Sequence, residues 1–374
     1  MNFFISNLHR FLPQTIKTIK DTNFILPIGI SFFTFQALSY VIDVYKGNVT
    51  AQKRLGYIGL YISLFPQLIA GPIVRYSTIM NQIENRIITF ESFSEGVSRF
   101  IKGFNKKVLL ANTLSVVADV SWASPDRSIL LAWVGGLSYT LQILFDFSGY
   151  SDMAIGLGKM LGFNFLENFN YPYISKSVSE FWRRWHMSLQ TWFRDYIYIP
   201  LGGSHVPKHR HIFNLFVVWG LTGIWHGANW TFLVWGLLYF ILLTFEKFTG
   251  LGKKERWWGQ IYTLFFVGMG WVLFRSDNIS AATQYFRSMF GISGNIFINE
   301  KTLFYIREYG FIMLAGCICS TNLFEKLYMI IKKRGGKTFN AYIWGTNIIQ
   351  FLLFIVSISY IVMNAHNPFI YFNF

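Results

Sequence analysis

Five windows of roughly 20 residues, each almost free of charge, constrain this chain more than any other feature: residues 128–145, 230–245, 258–274, 303–319 and 342–363. Segments of that length and polarity cross a bilayer as helices, because only a helix satisfies its own backbone groups in hydrocarbon. Only 14% of the 374 residues are charged, against about a quarter in soluble domains. The expectation is an all-α polytopic membrane protein with membrane lipids as its surroundings.

The formal net charge of +15 invites a nucleic-acid partner. The basic residues, however, gather between the apolar windows, as in Lys253-Lys254-Glu255-Arg256 and Lys332-Lys333-Arg334. Cytoplasmic loops under the positive-inside rule have this pattern, which accounts for the excess, so no nucleic acid is expected. Cys317 and Cys319 stand two apart inside a window and point in different directions on a helix. They read as small packing residues, neither a disulfide nor a metal pair. Residues 1–20 carry Arg10, Lys17 and Lys20 without a long apolar core, so no cleavable signal is expected there. Phe3, Phe4, Leu8, Phe11 and Leu12 recur at helical spacing instead, as in a short amphipathic lead-in.

Residues 22–45 and 55–74 are apolar, and the second run is broken by Pro66 and by Gly71-Pro72. Proline frees a backbone carbonyl that protein or cavity water must satisfy, so these segments are expected to be buried, kinked or re-entrant. In residues 93–118, Arg99, Lys102, Lys106 and Lys107 alternate with Phe100, Ile101, Phe104, Val108 and Leu109. This reads as a basic amphipathic helix whose solvated face lies beside anionic headgroups, in preference to a substrate site. Asp146 and Asp152 bracket a polar interruption, residues 147–152, and either line a water-filled cavity or mark helix ends. Residues 164–173 are a polar–aromatic loop. With no repeat, linker or low-complexity tract, residues 1–374 read as a single membrane-embedded domain.

The basic segments 207–211 and 247–256 are both assigned to the cytoplasm, so residues 212–246 must leave and return on one side. The legs of that hairpin are about 15 and 19 residues, roughly 22 and 28 Å as helix, and the shorter falls short of a bilayer core. His226-Gly227 lies at its turn, deep in the membrane region. An ionisable group so placed is expensive and is a functional candidate by default, although a core histidine bonded to a carbonyl is an equal alternative. A desolvated imidazole stays neutral and able to accept a proton, and Gly227 permits close approach of a substrate.

Upstream, Ser177-x-x-Glu180 has the form of a capping box and is expected to start a helix. On a helical wheel Phe181, Trp182, Trp185, Leu189, Trp192, Phe193 and Tyr196 share one arc, with His186 at its border beside Gln190, Arg183 and Arg194. Taken alone, that helix reads first as an interfacial anchor. His205, His209 and His211 beside Lys208 and Arg210 read as a solvated loop, since no carboxylate or cysteine accompanies them as a metal ligand. No nucleophile elbow, phosphate-binding glycine loop or zinc-protease motif is present.

Several motifs are shared with a known family. They are Glu180-Phe181-Trp182-Arg183-Arg184-Trp185-His186, Trp192-Phe193-Arg194-Asp195-Tyr196, Tyr198-Ile199-Pro200-Leu201-Gly202-Gly203 and Ile224-Trp225-His226-Gly227-Ala228-Asn229-Trp230. Leu26-Pro27-Ile28-Gly29-Ile30-Ser31-Phe32, Phe65-Pro66-Gln67-Leu68-Ile69-Ala70-Gly71-Pro72 and Asn367-Pro368-Phe369-Ile370-Tyr371-Phe372 join them. At these residues the chain resembles the membrane-bound O-acyltransferase family, and within it the bacterial branch that includes the alginate O-acetylation membrane protein. The branch that D-alanylates teichoic acids has a similar first motif. The resemblance implies about 9–11 transmembrane, re-entrant and interfacial helices around a central tunnel in the bacterial cytoplasmic membrane. It implies transfer of an acetyl group from a cytoplasmic donor, acetyl-CoA or an acyl carrier, to hydroxyls of an extracytoplasmic polysaccharide or to a partner protein that passes it on. No bound cofactor and no metal are expected.

His226 is then the catalytic histidine, acting as general base. His186 is the second active-site position, orienting the donor or stabilising developing charge. Trp185, Arg183, Arg194, Asp195, Trp225 and Asn229, in the same motifs, are candidate substrate-binding residues. The alternatives are transfer of D-alanine or another acyl group to teichoic acid, and a glycan or lipid transporter with pore-lining histidines. Members of the branch carry further spans ahead of the Leu-Pro-Ile-Gly motif, which begins here at Leu26, so those spans are expected to be missing.

Overall fold

The computed structural model describes residues 29–69, 71–253 and 256–363. The lead-in over residues 1–20, the start of the Leu-Pro-Ile-Gly motif, part of the 253–256 loop and the C-terminal aromatic segment lie outside the described residues. Those described form fifteen α-helices and no strand. Four helices, Ile129–Met160, Trp230–Thr249, Glu300–Cys319 and Gly336–Val362, are long and apolar enough to cross a membrane. They coincide with four of the five apolar windows. The fifth forms Gly259–Arg275, a 17-residue helix, roughly 25 Å long and shorter than an average bilayer core.

The first described elements are α1 (Ile30–Tyr45), α2 (Leu55–Ser63) and α3 (Tyr76–Asn85). Pro66 sits in a 3₁₀ turn that ends the α2 segment. Polar groups released by that break are met inside the protein: Gln67 Nε2 donates to the Tyr61 carbonyl at 2.5 Å, and the Tyr61 hydroxyl donates to the Val74 carbonyl at 3.0 Å. Tyr61 and Gln67 are fully buried, which agrees with the expected buried, broken segment.

Next, α4 (Phe90–Asn105) passes through a π-helical turn (Lys106–Ala111) directly into α5 (Asn112–Ala123). This long unit packs along α6 (Ile129–Met160). Contact is close because glycines meet glycines: a Cβ on Gly103 would stand 2.5 Å from the Gly149 carbonyl oxygen, and one on Gly156 2.6 Å from that of Gly96. Small residues facing each other in this way let two backbones approach within a membrane.

That packing corrects the reading of the basic face and decides between the two readings of the carboxylates. Lys107 is buried and pairs with Asp146 at 2.5 Å. Arg99 and Lys106 pair with Asp152 at 2.6 and 2.7 Å. Arg99, Lys106 and Lys107 therefore face the neighbouring helix, not headgroups, while Lys102 is exposed. Of the two readings for the carboxylates, helix ends fail because both lie within α6, and Asp152 lines a cavity. The polar interruption at residues 147–152 does not break the helix, because each carboxylate there has its cation on α4 or the π turn.

Two short helices, α7 (Val178–Arg184) and α8 (Met187–Phe193), precede the hairpin of α9 (Lys208–His226) and α10 (Trp230–Thr249). The α9 leg starts at Lys208, so it has 19 residues, about 28 Å, and is not the short leg expected. His209, Arg210 and His211 belong to the helix, and His211 is buried with its Nε2 at 2.8 Å from the Tyr198 hydroxyl. The solvated-loop reading therefore fails for His211. Then come α11 (Gly259–Arg275), α12 (Ile279–Met289), α13 (Glu300–Cys319), α14 (Leu323–Arg334) and α15 (Gly336–Val362). On α15 only Ser357 is buried. Its hydroxyl bonds the Asn105 carboxamide at 2.9 Å and ties this otherwise apolar helix to α4. Cys317 and Cys319 are free thiols packed at the edge of the main core.

Candidate active site

Ser177 starts α7 as expected, its hydroxyl accepting the Glu180 backbone N–H at 3.0 Å. The reciprocal half of the capping box is altered: the Glu180 carboxylate takes the Lys176 N–H at 2.9 Å. The remaining amides at this helix start are met from α10, where Glu246 accepts the Val178 and Ser179 N–H groups at 2.7 and 2.8 Å and the Ser179 hydroxyl at 2.6 Å. Glu246 is 1% exposed. A carboxylate at the positive end of a helix dipole is favourably placed, and it ties the helix leading to His186 to the hairpin that carries His226.

The single amphipathic helix expected from residue 177 onward does not form. The chain breaks at His186, which adopts φ 43°, ψ 55° between α7 and α8. A non-glycine residue in the left-handed region is strained and persists only where its surroundings hold it. Here they do: the Asn170 N–H donates to the Arg184 carbonyl and the Met187 N–H to the Asn168 carbonyl, both at 2.9 Å. The loop at 164–173 thus brackets His186 from both sides, and the imidazole turns inward, 2% exposed.

Aromatic rings enclose it. Phe147 meets the imidazole edge-on at 4.6 Å between centroids, and Phe32, Phe169 and Trp225 lie at 6.3, 6.4 and 6.3 Å. Its Nδ1 is 3.2 Å from Asn168 Oδ1, and its Nε2 is buried without a hydrogen-bond partner among the described residues. Trp225 continues to the second histidine, its ring 4.8 Å from that of His226. His226 ends α9 at the hairpin turn, as expected, with Trp235 and Phe274 edge-on at 5.0 and 5.1 Å. Among the described residues no hydrogen bond holds its ring. Gly227 beside it is required sterically, since a Cβ there would run into the Phe232 ring.

Of the other candidates, Trp225 is an aromatic neighbour of both imidazoles. Trp185 is buried beneath His186 against Trp271 and Phe169, at 4.8 and 5.1 Å. Arg183 is exposed. Arg194 and Asp195 pair with each other at 2.7 Å, and Asp195 also holds Arg75 at 2.8 Å. Burial alone would raise the Asp195 carboxyl, but its hydrogen bonds with Arg194 and Arg75 outweigh that and hold it below the usual carboxylate range. Asn229 caps α10 through the Thr231 N–H at 3.2 Å and donates to the Asp277 carbonyl at 2.6 Å. The geometry therefore gathers His186, Trp225 and His226, seats Trp185 below them, and puts Arg183, Arg194, Asp195 and Asn229 in other surroundings. Among the described residues no three His, Cys, Asp or Glu side chains converge as metal ligands.

Asn168 and Ser188 beside His186, and Ser151 beyond Asn168, are polar neighbours that sequence reasoning missed. The available signal is the spacing of Asn164, Asn168 and Asn170 among aromatics in one loop. A cavity of about 390 Å³ opens beside Asn168, walled by Arg99, Lys102, Lys106, Asp152 and Met187 among others. Neither histidine lines it, but Asn168 and Met187, which bracket His186, both do.

A model of the membrane-bound O-acyltransferase family matches residues 54–254. The chain is 45% identical over 293 residues to a Pseudomonas putida protein named "Probable alginate O-acetylase AlgI", covering 77% of this chain and 60% of that one. It is 36% identical over 330 residues to the peptidoglycan O-acetyltransferase of Helicobacter pylori, covering 78% and 62%. It is 29% identical over 293 residues to the teichoic acid D-alanyltransferase of Bacillus subtilis, covering 72% and 74%. The chain spans about 60% of the length of the Pseudomonas protein. With a matching family model over more than half its length, and two histidines that share one tryptophan as an aromatic neighbour, the chain belongs to the membrane-bound O-acyltransferase family.

Proposed function

We propose that this protein transfers an acetyl group from a cytoplasmic thioester donor, acetyl-CoA or an acyl carrier, to a hydroxyl of an extracytoplasmic polysaccharide, directly or through an acetyl-accepting partner protein. It would do so in the bacterial cytoplasmic membrane. The observation that carries the reading is the pair of imidazoles that share Trp225 as an aromatic neighbour, His186 buried and His226 half-buried among further rings. The names of the similar proteins support a glycan acceptor and favour acetyl.

In this reaction the acceptor hydroxyl oxygen attacks the thioester carbonyl carbon. A C–O bond forms, the C–S bond breaks, and the hydroxyl proton passes to His226 and from there to the departing thiolate. A neutral imidazole in an apolar cage suits that task, since it accepts a proton at one step and returns it at the next. His186 orients the donor. Holding both substrates at one base converts a bimolecular encounter into a positioned reaction.

The test is His226→Ala, with membrane abundance of the variant verified. Loss of about 100-fold or more in glycan O-acetylation is expected, the scale of a general base. Undiminished acetylation overturns the assignment. Mass spectrometry of the modified acceptor separates acetyl from D-alanyl transfer.

A further inference from the structure

Two donors and one imidazole nitrogen converge on Asn168 Oδ1: the Ser188 backbone N–H at 3.1 Å, the Ser188 hydroxyl at 2.9 Å, and His186 Nδ1 at 3.2 Å. A backbone N–H can only donate, so the carboxamide atom facing it is the oxygen. The opposite end agrees, because Asn168 Nδ2 donates to the Ser151 hydroxyl at 3.0 Å. The Ser188 hydroxyl oxygen is occupied in turn by the Ile73 N–H at 3.0 Å, which leaves its proton for Asn168. The same hydroxyl also lies 3.5 Å from His186 Nδ1, but its single proton goes to the nearer Asn168 oxygen at 2.9 Å. An amide oxygen cannot donate, so the imidazole nitrogen beside it carries the hydrogen. His186 is thus the Nδ1–H tautomer, and its bare Nε2 is the buried nitrogen that has no partner among the described residues.

A buried acceptor without a donor is costly and calls for a specific cause. The surrounding scaffold adds to that cost, since His186 is held in a left-handed conformation by backbone bonds from the same loop. We propose that Asn168, seated by Ser188 and Ser151, is a positioning residue that locks His186 in the Nδ1–H form. Nε2 then receives a hydrogen bond from an O–H or N–H group of the acyl donor. This rests on the acyl-transfer reading above. It also narrows that reading: a nitrogen that can only accept does not stabilise developing negative charge, so His186 holds a substrate hydrogen.

Selective ¹⁵N-histidine labelling of the full chain in nanodiscs tests the tautomer, with His186→Gln assigning the resonances. A protonated Nδ1 and an unprotonated Nε2 are expected in the unsubstituted chain. In Asn168→Leu the ring should lose that preference, whereas Asn168→Asp, which keeps the acceptor, should retain it. In the same membranes Asn168→Leu should lower kcat for acetyl transfer by about 100-fold, the scale of a misplaced reactant, with KM for the glycan little changed and Asn168→Asp restoring most of the rate. An Nε2–H tautomer in the unsubstituted chain overturns the proposal, as does an Asn168→Leu variant with unaltered tautomer and kcat. The tautomer measurement on the unsubstituted chain needs no activity, and its only variant, His186→Gln, serves for assignment. Failure of the acyl-transfer reading shows separately, as no acetyl transfer to glycan by the unsubstituted chain.

Discussion

Lys107 and Asp146 meet at 2.5 Å between the π-helical turn and the middle of α6, with 11% and 3% of their side chains exposed. A π turn shifts the helix register by one residue, which here lets Lys106 and Lys107 reach different carboxylates on one neighbour. Removing one partner of a buried pair strands the other charge and costs about 3–5 kcal/mol, whereas replacing both by apolar groups is close to neutral. Lys107→Met and Asp146→Leu should each lower the thermal unfolding midpoint in detergent, and the double variant should recover most of the loss. Additive losses would show that the contact is not energetically coupled.

Glu246 is the next test, since it alone serves two amides and a hydroxyl at the start of α7. Hydrogen bonds to a charged group are worth about 1.5–3 kcal/mol each. Glu246→Gln should weaken the cap and Glu246→Ala should destabilise further. Limited proteolysis near residue 176, compared with unfolding of the hairpin, would show whether the damage starts at α7.

At the glycine contact, Gly103→Ala puts a methyl 2.5 Å from the Gly149 carbonyl oxygen and within 2.8 Å of Asp152 Cβ. Such overpacking costs about 1–3 kcal/mol. Gly268→Ala, with nothing within 4 Å of the added carbon, should be neutral or mildly stabilising through helix propensity. Equal effects at the two positions would remove the close-packing argument.

Asp195 supplies a pH dependence. A carboxyl held below its unfolded value contributes stability that is present above the unfolded pKa and is lost as pH falls through the folded one. The difference in unfolding midpoint between the unsubstituted chain and Asp195→Asn should be constant from neutral pH down to about 5, and should shrink below about 4. A difference that grows on acidification would reverse the sign and refute the pairing with Arg75 and Arg194.

The hairpin turn at His226 is readable in the sequence because Gly227 interrupts two apolar runs between basic segments, and each of those signals is local. The apolar windows are readable for the same reason. His186 is different: residues 177–196 have helical periodicity throughout, and the break comes from backbone hydrogen bonds to Asn168 and Arg184 across a loop. Tertiary contacts override periodicity there. Likewise, Arg99, Lys106 and Lys107 look like a solvated face until their carboxylates are placed opposite them, 39 to 53 positions further along the chain. The family motifs cover His186 and His226 but stop short of Asn168, so the residue that orients the first histidine lies outside them.

The cap on α7 has a consequence for the order of synthesis. The Val178 and Ser179 amides emerge from the ribosome 67 or more residues before Glu246, the side chain that satisfies them. Until the whole hairpin is inserted, the helix leading to His186 lacks its anchor, while the hairpin turn with His226 already exists. The two histidines therefore come into register late, when α10 is completed, and a nascent chain stalled before residue 246 would carry both motifs without an assembled site.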